Sequence, residues 1–167
     1  MPLRTPPSTR RQTTCRAGFS LVDVTITLLI MGVLAGVAIP RMFRAVTQYR
    51  ADAAAARIAA DLAYAGKYSR TKGVSETIHF NAAASQYSCS TIASPTSPAA
   101  VYGVDLSVYP YESMIESVSF AGEPSVTFDG HGFPGAGGQV VVKSGAARRT
   151  IRLEQATGNV VVESGQP

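Results

Sequence analysis

The apolar stretch FSLVDVTITLLIMGVLAGVAI, residues 19–39, constrains this chain more than any other part of its sequence. As an α-helix rising about 1.5 Å per residue, it would be about 31 Å long, which matches the hydrocarbon core of a bilayer. Its only charged residue is Asp23. The stretch therefore predicts one membrane-spanning helix, and the 167 residues of the chain leave room for one modest domain after it.

The segment before the apolar stretch is basic. Residues 1–18 contain no acidic residue, whereas the rest of the chain holds 11 basic and 11 acidic residues. The net charge of +4 therefore comes from this segment and is poor support for nucleic-acid binding. The positive charge favours a cytoplasmic amino terminus, although Arg41, Arg44 and Arg50 on the other side weaken that bias. The basic residues of the segment are Arg4, Arg10, Arg11 and Arg16.

A conventional secretory signal peptide does not account for this amino terminus. The apolar stretch is longer than a usual signal-peptide core, and it ends in AIPRMFR without a small-residue cleavage site. A lipoprotein signal fails as well, because no apolar stretch precedes Cys15 in RQTTC. The stretch is therefore predicted to stay in the protein as a membrane anchor.

The junction RAGFSLVDVTITLLIMGVLAGVAIP resembles the amino-terminal signal of type IV pilins and type II secretion pseudopilins. That signal has a basic leader, Gly-Phe, an acid at the fifth mature position, an apolar helix and a proline. In this family a prepilin peptidase cuts after the glycine and methylates the new amino terminus. The resemblance thus implies cleavage between Gly18 and Phe19, N-methylation of Phe19, and loss of residues 1–18 as a cytoplasmic leader. Asp23 replaces the family's usual glutamate, and Ser20 its usual threonine.

Asp23 requires a physical explanation, because a carboxylate inside a membrane helix is costly. The cost is roughly 2.5–3.5 kcal/mol at the helix centre, less toward the end, and such acids are usually paired. Cleavage would create an amine at Phe19, and the resemblance implies that Asp23 pairs with this amine of an adjacent subunit in a growing filament. The shorter aspartate has less reach than glutamate. An acid that reaches interfacial water by itself is the alternative.

The helix is predicted to continue beyond the apolar stretch. Pro40 lacks an amide donor and should kink it, whereas residues 41–72 contain no proline and are rich in alanine. Arg57 and Asp61 are expected to form an i,i+4 pair on the solvated face, and Gly73 to end the helix. Two apolar tracks could supply the buried face: Val46, Tyr49, Ala53, Ala56 and Ala60, and nearby Ile58, Leu62 and Ala65.

After Gly73 the pattern changes to that of strands. The runs SETIHFN, QYSCSTI, SVTFD, QVVVKS, RRTIRLE and NVVVES are separated by turns rich in glycine, proline, serine and asparagine. Residues 93–110 are predicted to be mostly loop, because Pro95 and Pro98 interrupt them, and residues 114–120 fit either a strand or a short helical turn. The fold class predicted is α+β, a long amino-terminal helix packed on an antiparallel β-sheet domain of residues 73–167.

This architecture resembles the pilin-like fold over the whole chain. The segment VTFDGHGFPGAGGQVVVKSGAARRTIRLEQATGNVVV resembles the carboxy-terminal part of minor members of the GspH and FimT type. The features that recur there are a strand ending in Phe, a nearby glycine, an Arg-containing strand and a Thr-Gly turn. They correspond here to Phe128, Gly130 or Gly132, residues 149–153, and Thr157 with Gly158.

The resemblance implies a structural role rather than catalysis. It implies a minor pseudopilin of a type II secretion pseudopilus, with a minor type IV pilin involved in pilus assembly or DNA uptake as the alternative. The implied partners are prepilin peptidase, other pilins or pseudopilins contacted through the amino-terminal helix, and the inner-membrane assembly platform. The implied location is the inner membrane, crossed once, with the carboxy-terminal domain in the periplasm.

Motifs that suggest chemistry lack the context they need. GHGFPG at residues 130–135 matches G-x-G-x-x-G, but Pro134 and a following strand replace the helix that a dinucleotide requires. His79 and His131 have no HExxH motif or cysteine pair beside them, the acids lack calcium-loop spacing, and no G-x-S-x-G occurs. Cleavage would leave Cys89 without a disulfide partner and predicted to be buried. We therefore predict no catalytic residue, metal site or cofactor; a membrane-anchored hydrolase is the alternative.

A basic cluster near the carboxyl terminus is the one candidate for nucleic-acid contact. Arg148, Arg149 and Arg152, with Lys143 nearby, could contact phosphates. On a strand, however, Arg148 and Arg152 share one face while Arg149 points to the other, and no aromatic residue interleaves them. A solvated strand surface is the favoured interpretation.

Overall fold

The computed structural model describes residues 18–94 and 97–165, without the side chains of residues 40 and 97–99. Residues 1–17 of the predicted leader 1–18, including Cys15, and Pro95 lie outside the described residues. One helix and antiparallel strands make up the described part, so the predicted α+β architecture is confirmed. The elements are α1 (Leu21–Lys72), β1 (Glu76–Asn81), β2 (Gln86–Ser94), β3 (Ser97–Asp105), β4 (Met114–Phe120), β5 (Ser125–Phe128), β6 (Gly138–Ser144), β7 (Ala147–Leu153) and β8 (Val160–Gly165).

The chain divides into two compact units, Met1–Ile39 and Pro40–Pro167. In the described part of the first unit, every side chain from residue 18 to residue 39 is exposed. The hydroxyls of Thr25 and Thr27 donate to the carbonyl oxygens of Val22 and Val24, so these polar groups are satisfied inside the helix. The helix continues through position 40, and the kink at Pro40 stays a prediction.

The second unit consists of two four-stranded antiparallel sheets and the rest of α1. The strand order is β3-β2-β1-β5 in the first sheet and β4-β6-β7-β8 in the second. A single cluster of buried residues joins helix and sheets: Ile58 and Leu62 of α1 belong to it together with Ile78 of the first sheet and Val140 of the second. This cluster lies wholly within the second unit, which therefore has a hydrophobic core of its own.

The buried face of α1 follows one of the two predicted apolar tracks. Ile58, Leu62 and Ala65 are fully buried, as predicted, and small residues extend this face toward the amino-terminal half of α1. The prediction that the other track could be buried was wrong, since Tyr49 is 70% exposed and Ala56 and Ala60 are also exposed. The additional buried residues are Ala51, Ala54 and Ala55.

Two stretches for which the sequence did not predict a strand outright contain strands in the structure. β2 extends to Ser94 and β3 covers residues 97–105, so the prediction that residues 93–110 are mostly loop was wrong. Pro98 is tolerated because β3 is an edge strand, where an absent N–H need not break the sheet. Residues 114–120 form β4, paired with β6 from Met114 to Phe120. Cys89 is buried at 3% exposure, as predicted.

The helix ends at Lys72, immediately before Gly73, as predicted. The N–H groups of Gly73 and Val74 both donate to the carbonyl oxygen of Ser69, at 2.8 and 3.3 Å. Gly73 has φ of +66°, the left-handed conformation that closes such a terminus and that glycine adopts without a steric penalty.

Candidate assembly site

The predicted cleavage pair lies immediately before the helix. Gly18, Phe19 and Ser20 precede α1 and are exposed, Phe19 by 87%. The N–H groups of Asp23 and Val24 donate to the carbonyl oxygen of Ser20 at 3.0 and 3.3 Å, so helical bonding begins at Ser20. The peptide bond between Gly18 and Phe19 thus lies before the helix, between two exposed residues.

Asp23 occupies the first turn of α1, exposed and three residues after Ser20. Its carboxylate makes no hydrogen bond or ion pair within residues 18–94 and 97–165. The helix dipole favours a negative charge at this end by about 0.3–1 kcal/mol, which offsets only part of the cost of an acid near lipid. Ser-x-x-Asp is itself a signal for the start of a helix, one that the sequence interpretation did not use. The structure thus leaves this carboxylate available to a partner.

Apart from Asp23 and the two threonines, residues 21–39 of the first unit present small and apolar side chains. Between Leu21, 79% exposed, and Ile39, 53% exposed, its large apolar side chains all face outward. An 18-residue window here has a mean hydropathy of 2.3, so α1 is a candidate membrane span by length and composition. A continuous apolar surface of this length is stable only in lipid or against other helices.

In the second unit, a polar network that the sequence did not predict links α1 to the first sheet. Asp61, expected on the solvated face, is buried at 9% exposure. Its carboxylate accepts hydrogen bonds from the hydroxyls of Tyr87 at 2.5 Å and Tyr102 at 2.9 Å, and from Arg57 at 3.2 Å. Burial, together with the bond to Asp61, raises the pKa of Tyr102 to about 12. The Arg57–Asp61 pair was predicted correctly, but its surroundings were not.

A second buried acid stabilises an irregularity in the first sheet. Glu76, at the start of β1, is fully buried. Its carboxylate accepts the N–H of Ser90 at 2.6 Å, the N–H of Thr91 at 3.1 Å, and the hydroxyl of Thr91. These donors lie where the register between β2 and β3 shifts, after Ser88. Glu76 therefore satisfies backbone groups of β2 at the point where the ladder is interrupted.

The glycine-rich segment of residues 130–135 is a packing loop. Asp129 accepts N–H bonds from His131 and Phe133, both 2.9 Å, and the Phe133 bond lowers the pKa of Asp129. Gly132 has φ of +81°, and a Cβ there would lie 2.4 Å from the carbonyl oxygen of Gly66 on α1. Arg70 secures the contact by donating to the His131 carbonyl at 2.9 Å. Glycine serves here to let the loop approach the helix.

Comparison with known proteins gives matches of structure only. No protein-family model matches this chain, and neither does any curated protein sequence. Two crystal forms of the type IV minor pilin FimU from Pseudomonas aeruginosa PAO1 are similar in structure. One has a TM-score of 0.52 at 16% identity, covering 68% of this chain and 87% of FimU. The other has a TM-score of 0.50 at 17% identity, covering 67% and 91%.

The chain has the type IV pilin-like fold. The resemblance to type IV pilin-like proteins is therefore confirmed at the level of the fold. In this fold the exposed amino-terminal part of the long helix is the candidate membrane anchor.

On the pilin-like β domain, the basic cluster is divided between two surfaces, as predicted. Arg149 pairs with Asp52 of α1 and its side chain is only 15% exposed. Arg148 lies 2.6 Å from Glu116, which Lys143 also approaches at 3.7 Å. Arg152 lies 3.4 Å from Glu163. Each cation of the cluster therefore has a carboxylate beside it, which lowers the potential available to a phosphate backbone.

Proposed function

We propose that this protein is a minor pilin-like subunit, held in the inner membrane by residues 19–39 and assembled through that helix into a filament that protrudes into the periplasm. Its role is mechanical, and no catalytic residue is assigned. The observation that carries the proposal is the fully exposed apolar helix that begins two residues after Gly18-Phe19 and carries one unpaired acid, Asp23. The pilin-like fold of the β domain supports it.

Processing would occur between Gly18 and Phe19. Prepilin peptidase would cut this exposed bond on the cytoplasmic side and methylate the amine of Phe19. Mass spectrometry of the mature protein tests this step: a chain that begins with methylated Phe19 is expected. A chain that keeps Met1, or one cut near Pro40, would show that the apolar stretch is not a pilin-type signal.

Asp23 would pair with the Phe19 amine of the neighbouring subunit. Asp23 is exposed in the first turn of α1 and makes no hydrogen bond or ion pair within residues 18–94 and 97–165, so its carboxylate is open to the amine of a neighbouring subunit. Asp23→Ala is therefore expected to impair incorporation into filaments while cleavage continues, and Asp23→Glu to retain incorporation. Normal incorporation of Asp23→Ala would contradict the pairing but leave the cleavage proposal intact.

Between the two kinds of machine, we favour a minor pseudopilin of a type II secretion system. A minor type IV pilin is the second candidate, and the similarity to the minor pilin FimU favours it. Deleting the gene in its host distinguishes them. Retention of exoproteins in the periplasm with normal pili supports the pseudopilin, whereas loss of surface pili or of DNA uptake with normal secretion supports the pilin.

A further inference from the structure

Three of the four edge strands in the described sheets are protected against pairing with another chain. β3 contains Pro98 and its register with β2 is shifted at two places. β4 has a register shift between Ile115 and Ser117. β5 has only four residues, and the N–H of Gly135 donates to its Thr127 carbonyl at 2.8 Å. Proline, bulges, short length and coverage are the devices by which natural sheets avoid edge-to-edge association.

The fourth edge strand, β8, has none of these devices. All six of its residues pair with β7 in continuous register, from Val160 opposite Leu153 to Gly165 opposite Arg148. It contains no proline and no lysine. Two neighbouring apolar side chains point to opposite faces, Val161 at 46% and Val162 at 42% exposure. Its one charged residue, Glu163, lies 3.4 Å from Arg152 of β7. A regular, uncovered edge with exposed valines is a template for another strand.

The free hydrogen-bonding groups of β8 can be assigned from the β6–β7 hairpin. Its two-residue turn makes Ser144 and Ala147 a hydrogen-bonded pair, so alternate residues of β7 from Ala147 onward bond to β6. The intervening residues, including Thr150, bond to β8, and Thr150 lies opposite Glu163. The backbone groups of Val160, Val162 and Ser164 therefore point away from β7, toward the open edge.

A groove adjoins this edge on the side that faces α1. It has a volume of about 360 Å³ and lies between the helix and the turn that leads into β8, and Ala59, Ala63 and Val160 are among the residues that line it. No carboxylate lines it, whereas Lys67 and Arg70 do. Arg70 is engaged with the His131 carbonyl, but the exposed Lys67 ammonium has no acid partner in the described part of the chain.

We propose that the free edge of β8 accepts an extended segment of another protein, which adds as a fifth strand to the second sheet. The segment would place small apolar side chains over Val162 and the alanines of α1, and a carboxylate beside Lys67. This contact needs only the β domain and the adjoining helix, so it goes beyond assembly through the membrane helix.

The charges favour a different protein over a second copy of this chain. Directly opposed residues of an antiparallel pair point to the same face of the sheet. Leu153, Ile151 and Arg149 of β7 face inward. Their partners on β8 therefore also face α1, and these are Val160, Val162 and Ser164. If two β8 strands paired antiparallel about Val162, Ser164 of one copy would reach the position beside Val160 and Lys67. The acid Glu163 would point to the opposite face. A second copy therefore leaves Lys67 without a carboxylate.

An appended strand tests the proposal on the full chain in detergent micelles. The sequence GSG-TVTVTVTE is added after Pro167, so that it can fold back antiparallel to β8 with its valines and its glutamate on the face toward α1 and Lys67. The matched control, GSG-TVTPTVTE, lacks the central amide donor. We expect amide exchange in β8 to slow about tenfold with the first extension and not with the second, since a short tether gives a millimolar effective concentration. Equal exchange in both would overturn the proposal.

Two further variants test the chemistry and the occupant. Lys67→Glu should abolish the protection given by TVTVTVTE and restore it for TVTVTVTK, and protection that does not depend on this charge would overturn the role of Lys67. Val162→Pro removes a donor that points to the open edge, so it should keep the fold and lose the protection; Val162→Thr should keep both. A wild-type dimer that Val162→Pro dissociates would overturn the assignment to another protein.

Discussion

The hydroxyl of Tyr87 on β2 donates a 2.5 Å hydrogen bond to the carboxylate of Asp61 on α1, and both residues are buried. The same oxygen accepts the hydroxyl of Tyr102 on β3. One acid of the helix therefore holds two adjacent strands of the first sheet. Because a buried hydroxyl without a partner is costly, this contact determines how firmly the helix is held on that sheet.

Replacing Asp61 by alanine is expected to lower the free energy of unfolding by about 2–3 kcal/mol, since it leaves the Tyr87 hydroxyl buried without an acceptor. The measurement is urea unfolding of a fragment of residues 40–167, which contains the whole hydrophobic core. Glu163→Ala is the matched control: its ion pair with Arg152 is exposed, and its loss should cost about 0.5 kcal/mol or less. A similar loss for both variants would contradict the role assigned to Asp61.

Alkaline pH should destabilise the β domain. Burial, followed by the charge of Glu76, raises the pKa of Cys89 from 9.0 to about 12, and burial with the Asp61 bond raises the pKa of Tyr102 from 10.0 to about 12. Both pKa values are higher in the folded state. The unfolded chain therefore releases these protons first, so stability is fully present below about pH 9 and falls as the pH rises toward 12.

The check is the free energy of unfolding of the 40–167 fragment from about pH 8 to about pH 11. Cys89→Ala and Tyr102→Phe should each flatten the decline. The native thiol should also react slowly with alkylating reagents at mildly basic pH, because only the thiolate is nucleophilic. A stability profile that is flat across this range would contradict the prediction.

The parts of the structure that periodicity encodes could be predicted from the sequence. The helix, the later strands and the glycine stop each depend on local spacing or on one residue's backbone preference. The position of Asp61 could not be predicted, because its partners Tyr87 and Tyr102 come from strands 26 and 41 residues away. An i,i+4 pair has the same sequence pattern whether it is exposed to water or buried beneath tyrosines of a sheet.

The buried face of the helix and the first edge strand show the same limit. Both candidate tracks on α1 have helical spacing, and only the shape of the sheets decides that Ile58 faces inward and Tyr49 outward. β3 was missed because Pro98 argues against a strand in general but not against an edge strand. Which strand lies at an edge depends on the complete sheet order, which local patterns do not contain.

The basic cluster should not support DNA binding. Arg149 is paired with Asp52 and mostly buried, and Arg148 and Arg152 each lie beside a glutamate. We expect no mobility shift of duplex DNA with the 40–167 fragment at either low or moderate salt. Binding that weakens as salt rises, and that Arg148→Ala or Arg152→Ala reduces, would contradict this expectation and favour a pilus subunit used in DNA uptake.

Gly132→Ala should be among the most destabilising single-methyl changes in the β domain. It places a Cβ 2.4 Å from the Gly66 carbonyl oxygen and forces φ of +81° on a residue with a side chain. Gly122→Ala is the matched control, because Gly122 also has a positive φ, +97°, but open space around its Cβ position. Conformational strain should cost both variants about 1 kcal/mol, and overpacking should cost Gly132→Ala about 2 kcal/mol more. Equal unfolding free energies would mean that the loop moves away from the helix at little cost.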